Sequence, residues 1–141
     1  MKYIKKYEVV SNNLKAISIK QPWAYLLASG IKDIENRSWK TNYRGTVLIH
    51  TGAKYMKMIN PNNIFTNEQW NYLSDTQKRL VMSSLPTSAI IGSMEIVDCV
   101  KNNNSIWAEE DSWNWIVRNQ KLFDTPILNV KGKLSFFTPI Y

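Results

Sequence analysis

Lys32, Glu35 and Arg37 fall within the run Gly30-Ile-Lys-Asp-Ile-Glu-Asn-Arg-Ser-Trp39. Arginine offers a planar fork for a phosphate or a base edge, lysine a mobile charge, and glutamate an acceptor for an exocyclic amine. The stretch from Ile34 to Trp39 reads as a strand. Residues two apart on a strand share a face, so Glu35 and Arg37 project together. Gly30 lets a preceding helix end in a sharp turn, and Lys32 is expected to leave that turn exposed, at the same mouth. The three then converge on one cleft for an anionic or base-like ligand. The plainer alternative is a surface ion network that contributes little.

Other residues near this run are candidates for the same cleft: Lys20, Gln21 and Trp23 before it, Trp39 at its end, and Arg44 and His50 after it. Each carries a second reading. Trp23 serves the core or a stacking platform, Trp39 sits on the face of Glu35 and Arg37, and His50 is a hydrogen-bonded strand histidine or a catalyst. Glu109 and Glu110 read as a solvated turn.

Several chemistries are excluded by counting. The chain has one cysteine, Cys99, and one histidine, His50. A four-ligand thiolate and imidazole zinc site is absent, no intrachain disulfide can form, and a nuclease using two histidines is excluded. A Ser-His-Asp or Cys-His centre would have to use His50, and no nucleophile motif surrounds it. No metal and no cofactor are expected. No apolar run approaches the ~18 residues of a membrane span, and the basic start lacks the apolar core of a secretory signal. With no cysteine pairs, a cytoplasmic location is expected.

The charge is asymmetric. Residues 1–57 hold 11 basic and 3 acidic residues, or +8, whereas residues 58–141 hold 7 and 8, or −1. Such an excess suits an anionic partner, nucleic acid before membrane. The six tryptophans and seven tyrosines beside it suit base stacking, or a core.

The elements that must position these residues follow from periodicity. Residues 1–13 read as a polar arm. Strands are expected at 14–19, 34–39, 46–51, 89–100 and 113–119, with a closing strand at Leu134–Phe137. Pro22 and Gly30 delimit a short helix whose Trp23, Leu26 and Leu27 share a face and plug one end of the sheet. Thr66/Gln69 and Ser74/Gln77 both have capping-box spacing, giving one helix or two short ones between the Asn60-Pro61 loop and Leu85-Pro86. Gly92 within the longest strand indicates a bulge or close backbone approach. A helical turn is expected at 107–111. The sum is an α+β, mainly β chain: a small, mostly antiparallel barrel spanning 14–141, with residues 53–86 as a partly helical insert.

The run Ile17–Gly52 resembles the ASCH domain. The matching elements are Ser18-Ile-Lys-Gln-Pro-Trp23, the Gly30-x-Lys32-x-x-Glu35-x-Arg37 spacing, Arg44-Gly45 and Ile49-His50. Trp113-x-Trp115, Pro126-Ile127, Lys131-Gly132 and Leu134-x-Phe136-Phe137 are similar to that family's closing strands. The resemblance implies a PUA-like β-barrel with a cleft beside the first helix, and binding of RNA, other single-stranded nucleic acid or a nucleotide. Bacterial N4-acetylcytidine amidohydrolases look similar over the same motif and imply an alternative, a metal-independent hydrolase of a modified nucleoside. There Lys32 takes the lysine place, Glu35 stands where those enzymes have threonine, and Glu109 or Glu110 is the candidate for their distant glutamate. A close carboxylate favours the charged form of a lysine, so that mechanism does not carry over intact. Lys32 with Glu35 could also supply acid and base for RNA cleavage. A third reading is a protein-interaction adaptor that keeps only the fold.

Overall fold

The computed structural model describes residues 13–56 and 60–141. The expected arm therefore lies outside the described residues apart from Asn13. Among these residues five strands form one sheet: β1 (Ala16–Gln21), β2 (Ile34–Arg37), β3 (Gly45–Tyr55), β4 (Ala89–Val100) and β5 (Trp113–Ile127). Among the described residues three α-helices accompany them, α1 (Trp23–Ala28), α2 (Asn67–Tyr72) and α3 (Asp75–Val81), with a 3-10 turn at Pro61–Asn63. The sheet order is β1-β3-β4-β5-β2. Only β1 and β3 run parallel; the other pairings are antiparallel. The sheet curls into a mainly β half-barrel, and β1 and β2 are its two edges.

Alternation within the strands divides the core. Ile17, Ile19, Val47, Ile49, Met94, Ile96, Trp115 and Val117 face inward, where Ala24, Leu27 and Ala28 of α1 plug the end of the barrel. Ala16, Leu48, Ile90 and Phe123 face outward and are covered by Val130 and Phe137 of the C-terminal segment. A third cluster joins Leu26 and Ile34 to Phe65, Leu73, Val81 and Trp107, which anchors α2 and α3.

The 67–81 region is two helices. Thr66 and Gln69 exchange side-chain and backbone hydrogen bonds at 3.0 and 3.1 Å, and Ser74 and Gln77 do the same at 2.8 and 3.1 Å. Each box satisfies two backbone donors that a helix start leaves unpaired. At Gly92 both expected features occur. The β4–β5 register shifts between Ile90 and Gly92, and a Cβ there would run into the Lys121 carbonyl.

Some boundaries differ from expectation. The closing strand shrinks to one bridge, in which Ala16 and Phe137 exchange backbone bonds of 2.8 and 2.9 Å. Ser135 adopts a φ of 59° just before it, and Pro139 has no N–H to continue the ladder after it. The segment expected as a helical turn at 107–111 forms irregular turns, with Ala108 donating to the Ser105 carbonyl at 3.1 Å.

Candidate functional site

The two sheet edges meet without backbone pairing. Arg37, the last residue of β2, reaches across and donates from Nη2 to the Ser18 carbonyl of β1 at 2.8 Å. Its Nε donates to Glu35 Oε2 at 2.8 Å. A cavity of about 340 Å³ lies along this seam. Ser18, Ile19 and Lys20 line it from β1, Trp23 from α1, and Glu35, Asn36 and Arg37 from β2. Lys32, Met56 and Glu109 complete the wall.

Lys32 is not exposed, contrary to the expectation from Gly30; only 4% of it reaches solvent. Gly30, at φ 84°, returns the chain beneath α1 instead of releasing it. The amides of Ile31 and Lys32 both donate to the Leu26 carbonyl, at 3.1 and 2.9 Å. Gln120 Nε2 donates to the carbonyls of Leu27 and Lys32, which holds the turn against β5. Lys32 Nζ donates to the Ile34 carbonyl and lies 5.4 Å from the Trp23 ring centroid. Burial pulls the amine below the ordinary lysine value, and Glu35, Glu109 and Asp33 oppose this while Arg37 adds to it. Desolvation therefore outweighs the adjacent carboxylate in setting the direction.

Glu35 is buried, and Arg37 is the partner that offsets the desolvation of its carboxylate. In the β2–β5 register Glu35 lies opposite Trp115 and Arg37 opposite Trp113. The Arg37 guanidinium also sits 5.7 Å from the Trp115 ring. Asn36 pins the 105–110 loop to β2. Its Nδ2 donates to the Trp107 carbonyl at 2.9 Å, and its Oδ1 accepts from the Glu109 amide at 3.0 Å. Both glutamates are exposed, and this brings Glu109 rather than Glu110 to the cavity.

The remaining sequence candidates stand apart from the cavity lining. Gln21 accepts from the Tyr25 amide at 2.9 Å and donates to the Pro86 carbonyl at 3.1 Å, tying α1 to the start of β4. Trp39 packs edge-on against Trp115, with centroids 4.8 Å apart, and against Phe136. Arg44 donates to the carbonyls of Thr41 and Tyr43 and lies 3.6 Å from Asp98. His50 is 1% exposed and lies beyond β1 from the seam. Its Nε2 meets the Val130 carbonyl at 2.6 Å and its Nδ1 meets Ser18 Oγ at 2.8 Å. A carbonyl only accepts, which assigns the hydrogen to Nε2 and makes Nδ1 the acceptor from Ser18. Burial lowers the His50 pKa, against a smaller upward effect of the Val130 bond.

Sequence reasoning missed Ser18, Asn36 and Met56. Ser18 did carry a signal: it stands between Ile17 and Ile19 and so faces away from them. Its contact with His50 comes from the parallel register, which pairs Ser18 with His50 and no local spacing reveals. Among the described residues no cluster of His, Cys, Asp and Glu could hold a metal ion. Among them, too, no helix is long and apolar enough to cross a membrane.

Residues 17–126 match the family described as the ASCH domain. Over 84 residues, 60% of this chain, the sequence is 31% identical to activating signal cointegrator 1 from Homo sapiens and from Mus musculus. The chain spans only 14% of the length of those relatives.

Proposed function

This chain belongs to the ASCH domain family, and on that premise we propose that the seam cavity binds a nucleotide or a single-stranded nucleic acid, RNA in particular. The observation that carries this reading is the gathering of Trp23, Lys32, Glu35 and Arg37 around one cavity. Trp23 supplies an apolar wall for a base. Arg37 supplies a fork for a phosphate or carbonyl edge, and Glu35 an acceptor for an exocyclic amine. Exposed Lys20 at the rim meets the backbone. The lone buried thiol, Cys99, fits a reducing, cytoplasmic setting.

The test is fluorescence anisotropy with RNA, DNA and free nucleosides at two salt concentrations. Arg37→Ala is expected to weaken binding tenfold or more, because a bidentate arginine contact contributes about 1–3 kcal/mol. Intact affinity in a variant with a lowered melting temperature would reduce the motif to a structural ion network.

One observation favours a second reading, a metal-independent hydrolase acting on a modified nucleoside or RNA. Lys32 has a depressed pKa and shares its cavity with Glu35 and Glu109. An amine closer to neutrality can take a proton or attack a carbonyl. In this reading Lys32 is the base or nucleophile, Glu35 a second acid–base group, and Glu109 replaces Glu110 as the distant carboxylate. Turnover of an N4-acylated cytidine that Lys32→Ala abolishes, with the fold retained, would establish it. An adaptor would show neither binding nor turnover.

A further inference from the structure

Trp113 is not among the residues lining the seam cavity, yet its surroundings suit the same kind of ligand. It lies opposite Arg37 in the antiparallel β2–β5 register. Residues directly opposite in such a pair project on one face, so Trp113 stands beside Arg37 where the seam ends. Two lysines reach its ring: Lys40 Nζ at 5.4 Å from the centroid and Lys101 Nζ at 5.0 Å. They come from opposite sides, because β5 lies between β2 and β4 in the sheet. Lys40 follows the end of β2, and Lys101 follows β4 directly. Both lysines are exposed and Trp113 is partly so. An indole that two solvated side chains can reach is also open to a planar base. Arg37 and Asn36 make the connection, since both belong to β2 and line the cavity.

We propose that the binding path continues past Arg37 onto Trp113, which stacks a second base while Lys40 and Lys101 hold the flanking phosphates. The inference rests on the nucleic-acid reading above and sharpens it. The ligand is a single-stranded oligonucleotide of at least two residues, not a free nucleoside. An aromatic face flanked by cations is how sequence-tolerant single-strand sites are built, with stacking for any base and charge for the backbone. The ammonium groups now resting on the ring would move to the phosphates as the base arrives.

The test compares a nucleoside monophosphate, a dinucleotide and a hexanucleotide of RNA on the full chain. The dinucleotide is expected to bind about tenfold more tightly than the monophosphate. Trp113→Leu should bring that ratio close to one. Because Trp113 also packs against the inner core, a double variant outside the core, Lys40→Ala with Lys101→Ala, provides the second arm. It should lower the magnitude of the log–log salt slope for the hexanucleotide by about 1.4, at about 0.7 for each lost phosphate contact. Equal affinity for monophosphate and hexanucleotide, or an unchanged slope in the double variant, overturns the inference while cleft binding of the monophosphate stands. Hexanucleotide binding that depends on Trp113 but not on Arg37 upholds this subsite and overturns the cleft reading. An acidic peptide binding here more tightly than the hexanucleotide would also overturn the inference.

Discussion

Two buried polar clusters lie against β1 and use their hydrogen-bonding capacity differently. Outside the sheet, His50 spends one ring nitrogen on Val130 and the other on Ser18. Nothing on that ring remains for a ligand. At the seam, Lys32 has three donors, and the Ile34 carbonyl takes one. Arg37 has five, and Glu35 and Ser18 account for two. Burial of a polar side chain alone therefore does not mark a site. Spare capacity turned toward a cavity does. Ser18 belongs to both clusters, through its hydroxyl on one side and its carbonyl on the other.

The largest effect expected on stability separates the two clusters. His50→Ala would strand the Val130 carbonyl and the Ser18 hydroxyl, at about 1–3 kcal/mol for each group left without a partner. Calorimetry should show the midpoint falling by roughly 10 °C. Nucleic-acid affinity, measured well below that midpoint, should change less than twofold. If affinity collapses with stability, the two clusters act as one.

Arg37 inverts the pattern. Arg37→Ala is expected to cost tenfold or more in affinity, and Arg37→Lys to restore little, because an ammonium cannot reproduce the fork. Removing the guanidinium also strands Glu35, so a double variant, Arg37→Ala with Glu35→Gln, separates lost contact from a buried unpaired charge. Recovered stability without recovered affinity would sharpen the distinction.

The clusters also differ in pH dependence. His50 is depressed in the folded state, so the unfolded chain takes its proton first as pH falls. The His50 contribution is complete above about 6.5 and declines below it. His50→Gln should flatten the acid limb of a stability profile. Lys32 is depressed too, so in alkaline solution the folded form gives up its proton while the unfolded form still holds it. Stability then rises with pH up to about 10.4 from this group, and Lys32→Met should remove that rise in denaturant titrations.

The smallest effects belong to the helical insert. Thr66→Ala and Ser74→Ala each remove one capping box and should cost about 1 kcal/mol, with no change in ligand affinity. A loss of binding in either variant would tie α2 and α3 to the seam.

Features set by local chemistry were legible in the sequence. The limits of β4, the helix between Pro22 and Gly30, and both capping boxes follow from periodicity and side-chain hydrogen bonding. Features set by distant partners were not. Lys32 was expected outside because Gly30 permits many exits, and the one taken depends on Gln120, far along the chain. The run from Lys131 to Phe137 reads as a turn and a closing strand, while the φ of Ser135 confines pairing to a single bridge. A strand over 34–39 would put Trp39 on the face of Glu35 and Arg37, but β2 ends at Arg37, and Arg44 lies beyond it in the chain. Trp115 and Asp98, on β5 and β4, provide their partners instead.

The seam itself has a mechanical consequence. A barrel zipped shut by a backbone ladder opens only by stripping several hydrogen bonds at once. Here, among the described residues, the hydrogen bond that crosses from β2 to β1 comes from one guanidinium, a latch that side-chain rotation can release. An incoming ligand that offers Arg37 a better acceptor than the Ser18 carbonyl would release this crossing by a change of rotamer, without unfolding.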